Sequence, residues 1–101
     1  MPNDRADRFT TLLSQVRNQA ELTTLVEGLM TPQELDECYL RWVLMTRLLQ
    51  GVTQREIARE LGISLGTIAR GSRLLKYGPP EFRELVRRLM ESGRPNEEEQ
   101  P

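Results

Sequence analysis

The side chains with the clearest chemical capacity in this sequence are cations gathered in one part of the chain. Between Arg41 and Arg88, ten basic residues stand against four acidic ones, a local charge of +6, whereas the remainder of the chain carries −7. The net charge is therefore only −1. DNA phosphates respond to the local field rather than to the average charge. The basic span thus predicts double-stranded DNA as a partner.

Residue types for catalysis or metal binding are scarce. The chain has no histidine and a single cysteine, Cys38. Zinc sites need several thiolate or imidazole ligands, and nucleophilic side chains commonly need a histidine base. We therefore expect no enzyme activity, no catalytic residue and no metal ion, and we interpret Cys38 as a small apolar residue on a helix.

Residues 54–73, QREIARELGISLGTIARGSR, predict a helix-turn-helix that extends over about 54–76. Two helices that meet at a steep angle need a small residue at their crossing, which Ala58 supplies, and Gly62 suits a turn with positive φ. Ser64 is a suitable N-cap for the second helix. The shared core of the motif is expected to hold Ile57, Leu61, Ile63 and Ile68.

The second helix of such a motif enters the major groove with its N-terminal residues. The residues expected to face DNA there are Ser64, Leu65, Gly66, Thr67, Ala69 and Arg70. Gln54 and Arg55, at the start of the first helix, are expected to contact a phosphate strand. Leu65 and Ala69 can meet a thymine methyl group, but long polar side chains for the bases are few. Bridging water and DNA shape should therefore contribute to recognition.

Six helices are expected to position these residues, because apolar side chains recur at helical spacing and no strand pattern is present. Thr31 with Glu34, and Thr53 with Glu56, are predicted capping boxes. Gly51 is a natural C-terminal stop. The predicted helices cover 4–19, 21–29, 32–50, 54–61, 65–76 and 81–91.

The length of 101 residues predicts one domain, and we expect residues 1–91 to form a helical dimerisation and DNA-binding domain. Residues 92–101 are predicted to be a disordered acidic tail. The longest apolar run has four residues, and the N-terminal segment has no signal-peptide pattern, so we expect a cytoplasmic protein with no membrane partner. Apolar helix faces in so short a chain favour a homodimer that pools its cores.

One further string identifies a family. Residues 68–76, IARGSRLLK, resemble the tryptophan operon repressor family, together with Gln54-Arg55-Glu56, Glu60-Leu61-Gly62, Leu29-Met30-Thr31-Pro32 and Arg41. The resemblance covers roughly residues 22–90. It implies an intertwined homodimer that represses tryptophan biosynthesis genes, with L-tryptophan as a small non-covalent corepressor.

The resemblance also implies which residues bind that ligand. The indole ring would lie between Arg41 and Arg70, since guanidinium groups stack on aromatic faces. Arg70 would pair with the carboxylate, and Thr31 would offer its hydroxyl. Gly71 would leave room for the ring, and backbone carbonyls near Gly28 and Met30 of the partner subunit would accept from the ammonium group.

Two alternatives remain open at this point. A helix-turn-helix regulator could bind DNA without a small molecule, and this is favoured by Leu74, where the family has a small serine near the ammonium group. A helical dimerisation module could instead use residues 54–73 only for packing. Two further departures from the family are Ala58, where it has a lysine, and a one-residue shorter link before the first helix of the motif.

Overall fold

The computed structural model describes residues 4–92, and within them it contains six α-helices and no strand. The helices are α1 (Asp4–Ser14), α2 (Gln19–Leu29), α3 (Pro32–Leu49), α4 (Gln54–Leu61), α5 (Leu65–Tyr77) and α6 (Pro80–Ser92). The predicted all-α fold with six helices is confirmed. Ser92 belongs to α6, and the rest of the predicted tail lies outside the described residues.

The first predicted helix is too long, because α1 ends at Ser14 rather than at residue 19. The reason is a local cap that starts the next helix. Asn18 is the N-cap of α2, where the Glu21 N–H donates to its side-chain oxygen at 2.9 Å. The Glu21 carboxylate accepts from both the backbone N–H and the guanidinium of Arg17. Such side-chain bonds compete with continued helix and separate α1 from α2.

The chain divides into two compact units, Met1–Glu37 and Cys38–Pro101. In the first unit, neither α1 nor α2 contains a buried residue, and Phe9, Leu12 and Leu29 are each about half exposed. The predicted capping box at the start of α3 is confirmed: the Glu34 N–H donates to Thr31 Oγ1 at 3.1 Å, and the Thr31 N–H donates to Glu34 Oε1 at 2.9 Å.

The second unit holds the hydrophobic core. Ile57 of α4 and Ile68 of α5 are fully buried, and Leu44 of α3 is 1% exposed beside them. Half-buried side chains complete the cluster, namely Leu48, Val52, Ala58, Leu61 and Ile63. The predicted core of the motif is therefore confirmed, and α3 also contributes to it through Leu44 and Leu48. Leu75 and Val86 are also buried, one on α5 and one on α6.

Candidate DNA-binding and ligand-binding site

Both helices of the motif begin with a hydroxyl cap, as the sequence predicts. The Glu56 N–H donates to Thr53 Oγ1 at 3.2 Å, and the Thr67 N–H donates to Ser64 Oγ at 3.1 Å. The Glu56 carboxylate, expected to complete its capping box, accepts from Arg59 instead. The caps fix where α4 and α5 start, which is where a helix presents free N–H groups to an anion.

The turn between α4 and α5 has the geometry that a helix-turn-helix needs. Gly62 ends α4 with φ of 69°, a left-handed conformation that favours glycine, and its N–H donates to the Ala58 carbonyl at 2.9 Å. Ile57 and Ile68, on either side of this turn, are buried against each other's helices. The fold of residues 54–77 is thus a helix-turn-helix.

The structure exposes the surface that the sequence assigns to DNA. Seven of the eight candidate residues are exposed and Ala69 is half-buried; the exposed ones are Gln54, Arg55, Ser64, Leu65, Gly66, Thr67 and Arg70. Leu65 is 56% exposed at the first position of α5, so its apolar side chain is accessible to another molecule. The Ser64 hydroxyl donates to Thr67 Oγ1 at 2.9 Å, so the Thr67 hydroxyl hydrogen is the one free to donate outward.

Gly71 is buried where α5 meets α3. A Cβ atom at this position would lie 3.1 Å from Leu44 Cδ2 and 3.4 Å from Met45 Cε. Close helix packing therefore accounts for a glycine that costs about 1 kcal/mol relative to alanine within a helix. Its role beside a ligand ring stays a prediction.

The two arginines assigned to the ligand lie near this same contact. Arg41 is one turn before Leu44 on α3, and residues three or four apart share a helix face. Arg70 directly precedes Gly71 on α5. Both guanidinium groups belong to exposed residues, and within residues 4–92 neither forms a salt bridge. They are therefore free to bind an external group.

The remaining ligand candidates, Met30 and Thr31, belong to the first unit. Thr31 Oγ1 accepts from the Glu34 N–H, which leaves its hydroxyl hydrogen free to donate. Met30 is the C-cap of α2, and its own N–H donates to the Val26 carbonyl. These contacts occupy neither the Thr31 hydroxyl hydrogen nor the Met30 carbonyl, so their predicted roles toward a ligand stay open.

An ion pair that sequence reasoning missed joins α3 to α4. The Arg47 guanidinium donates to the Glu60 carboxylate from Nε at 3.2 Å and from Nη2 at 3.0 Å. These bonds hold the pKa of Glu60 below its ordinary value and raise the pKa of Arg47. The residues are thirteen positions apart on different helices, so no helical spacing could have signalled the pair. It links the first helix of the motif to the long helix at the protein surface.

Replacement of Glu60 by glutamine is expected to lower the melting temperature at neutral pH and to have less effect in acid. Because the folded pKa of Glu60 is lowered, the pair stabilises the fold above the ordinary glutamate pKa of about 4.3. That stabilisation is lost as the pH falls through the lowered folded pKa. Thermal melts of both proteins over a pH series test this, with Glu84→Gln on α6 as the matched control. A difference in melting temperature that is the same at every pH would contradict it.

A second feature missed from the sequence is a cavity of about 210 Å³ in the second unit, beside the start of α4. Its polar lining consists of Gln54, Ser72, Lys76 and Arg83, from three helices. Only Gln54 was assigned a role from the sequence. The only sequence signal for Lys76 and Arg83 is the positive charge of residues 41–88, which does not say that they face one cavity.

Among residues 4–92, no cluster of carboxylates and cysteine is arranged to hold a metal ion. Across the same residues, no helix combines the length and apolar character needed to cross a membrane.

The structure thus defines a member of the helix-turn-helix class, with the motif packed on a long third helix. The family described as Trp repressor protein matches residues 4–90, and the chain belongs to that family.

The chain is similar to several proteins named Trp operon repressor homolog. The one from Histophilus somni is 34% identical over 92 residues, 90% of this chain and 87% of the relative. The one from Pasteurella multocida is 39% identical over 86 residues, 84% and 80% of the two chains. The one from Chlamydia trachomatis serovar D is 35% identical over 81 residues, which cover 79% of this chain and 86% of the relative. No solved structure matches the chain.

Proposed function

We propose that this chain is a transcriptional repressor of tryptophan biosynthesis genes that binds operator DNA as a homodimer when L-tryptophan is bound. The observation that carries the proposal is the helix-turn-helix, whose exposed reading end is continuous with the α3–α5 contact beside Arg41 and Arg70. Membership of the Trp repressor family supports the choice of corepressor.

On DNA, the start of α5 enters the major groove. Leu65 supplies an apolar contact for a thymine methyl group, and the Thr67 hydroxyl donates to a base edge or to a bridging water. Gln54 and Arg55 bind phosphate at the start of α4, where the helix dipole also favours an anion. The remaining candidates, Ser64, Gly66, Ala69 and Arg70, lie along the same exposed end of α5.

The ligand acts through the α3–α5 contact. The indole ring is held between the guanidinium groups of Arg41 and Arg70, and Arg70 also pairs with the ligand carboxylate. Gly71 keeps the adjacent helix surface flat, Thr31 donates its hydroxyl, and the partner subunit contributes the backbone carbonyl of Met30. A ligand activates DNA binding only if it prefers the DNA-competent arrangement of α5, and a ligand held against that helix can make this distinction directly.

The homodimer is expected to be obligate. Without a partner, α1 and α2 bury no residue, and the apolar side chains of Phe9, Leu12 and Leu29 remain about half exposed. Analytical ultracentrifugation at micromolar concentration should therefore give a single dimeric species with no folded monomer. A folded monomer under these conditions would contradict the expectation.

Selection of binding sites from a random DNA pool, with and without L-tryptophan, tests the proposed function. Enrichment of one palindromic sequence only in the presence of L-tryptophan supports it. The same enrichment without the amino acid supports the ligand-independent regulator. If no sequence is enriched and no salt-dependent gel shift is seen, the chain does not bind DNA. The remaining hypothesis is then a helical dimerisation module that uses residues 54–73 only for packing. Calorimetric titration with each amino acid and with indole derivatives identifies the ligand independently of DNA.

A further inference from the structure

The cavity beside the start of α4 brings one cation of the helix-turn-helix, Lys76, to the same opening as a cation from α6, Arg83. Lys76 comes from the last turn of α5, and Arg83 comes from the first turn of α6. Gln54 lies at the first position of α4 on the same cavity. The Ser72 hydroxyl adds a further hydrogen-bond donor. Four donor side chains from α4, α5 and α6 therefore line a single opening.

The corner between α5 and α6 fixes the backbone segments that carry the two cationic residues. The Gly78 N–H donates to the Leu74 carbonyl at 2.9 Å, and a Cβ on Gly78 would lie only 2.5 Å from that oxygen. The Phe82 N–H then donates to the Pro79 carbonyl, which starts α6. Leu75 and Val86 are buried on the two helices. The backbone positions of Lys76 and Arg83 are therefore set by this corner and the core, and their exposed side chains extend from them.

The charge at this cavity is available to an external anion. In the part of the chain that the structure describes, Lys76 and Arg83 form no salt bridge, whereas Arg47 and Arg59 are each paired with a glutamate. Both residues are exposed. A guanidinium group and an ammonium group at one opening favour a phosphate, which accepts bidentate bonds from arginine.

We propose that Arg83, together with Lys76, binds a phosphate of the DNA backbone at this cavity, so that the DNA interface extends from the helix-turn-helix to α6. The inference rests on the proposed function, in which Gln54 already lies against a phosphate strand. Because Gln54 lines the same cavity, a strand that reaches the start of α4 passes within reach of Arg83. The contact fixes the position of the protein on DNA and carries no base preference.

The salt dependence of DNA binding tests this contact. Each phosphate that a cation neutralises contributes about 0.9 to the slope of log affinity against log salt concentration. With L-tryptophan at saturation, Arg83→Gln should lower the slope by about two units, because the homodimer carries two copies of Arg83. It should weaken binding to the selected site and to an unrelated duplex by the same factor. Lys76→Gln should act similarly, and Arg83→Lys, which keeps the charge, should restore most of the slope.

The matched control is Arg88→Gln, an exposed arginine on α6 that lines a different cavity with Pro80 and Leu85. Its slope should equal that of the unchanged protein, and circular dichroism should show that all variants fold. An unchanged slope for Arg83→Gln overturns this inference and leaves the proposed function intact. Absence of any DNA binding by the unchanged protein overturns both.

Discussion

Gly71→Val should abolish the response to L-tryptophan and lower the free energy of unfolding by about 1–3 kcal/mol, the usual cost of overpacking a core. A Cβ at this position already lies 3.1 Å from Leu44 Cδ2, and valine adds two methyl groups beyond it. The branched side chain would push α5 away from α3 beside Arg70. The flat helix surface proposed for the indole ring would then be lost, and DNA binding should persist only at a weak, non-specific level.

Gly66→Val is the matched control for the unfolding measurement. Gly66 is exposed on the same helix, and the nearest atom to a Cβ there is Ser64 Oγ at 3.9 Å. This variant should therefore unfold at a temperature close to that of the unchanged protein. Ligand response is measured as operator affinity with and without L-tryptophan, well below the melting temperature of each variant. An equal enhancement in the unchanged protein and in Gly71→Val would mean that the ligand binds elsewhere.

Arg70→Ala should weaken the binding of L-tryptophan about 30- to 150-fold, equivalent to about 2–3 kcal/mol. The substitution removes the partner of the ligand carboxylate and one face of the proposed arginine sandwich. Calorimetry without DNA measures this loss directly, since Arg70 is also a candidate DNA contact.

Arg73→Ala is the control for that measurement, because Arg73 is an exposed arginine on α5 with no proposed ligand role. Its affinity for L-tryptophan should be unchanged. Arg70→Lys keeps a positive charge without the planar group, so an affinity between those of the unchanged protein and Arg70→Ala is expected. If Arg70→Ala and Arg73→Ala bind L-tryptophan equally well, Arg70 does not contact the ligand.

Local features of this fold were predictable because they are encoded within a few residues of one another. The hydroxyl caps at Thr31, Thr53 and Ser64 form as the sequence indicates. Gly51 and Gly62 adopt positive φ where the chain leaves α3 and α4. The predicted end of α1, at residue 19, was wrong for an equally local reason. The Asn18 side chain caps α2 by accepting from the Glu21 N–H, and this cap ends the helix that the apolar spacing had predicted to continue.

Features that depend on contacts between distant residues were not predictable from periodicity. The Arg47–Glu60 ion pair and the place of Leu44 in the core require the relative placement of α3 and α4. Gly71 is the clearest case. A glycine inside a helix indicated that something lies close to the backbone there. The structure shows that this neighbour is α3, and the spacing of residues in the sequence could not have identified it.

The central claim is that L-tryptophan switches this helix-turn-helix protein to its DNA-binding form. Its most direct test is the affinity of the purified chain for its selected DNA site, measured by fluorescence anisotropy of labelled DNA with increasing L-tryptophan. We expect affinity to rise to a plateau with L-tryptophan and not with an unrelated amino acid, with a gain of about 5- to 150-fold, the usual range of coupling between two sites. An affinity that does not change with L-tryptophan would contradict the claim.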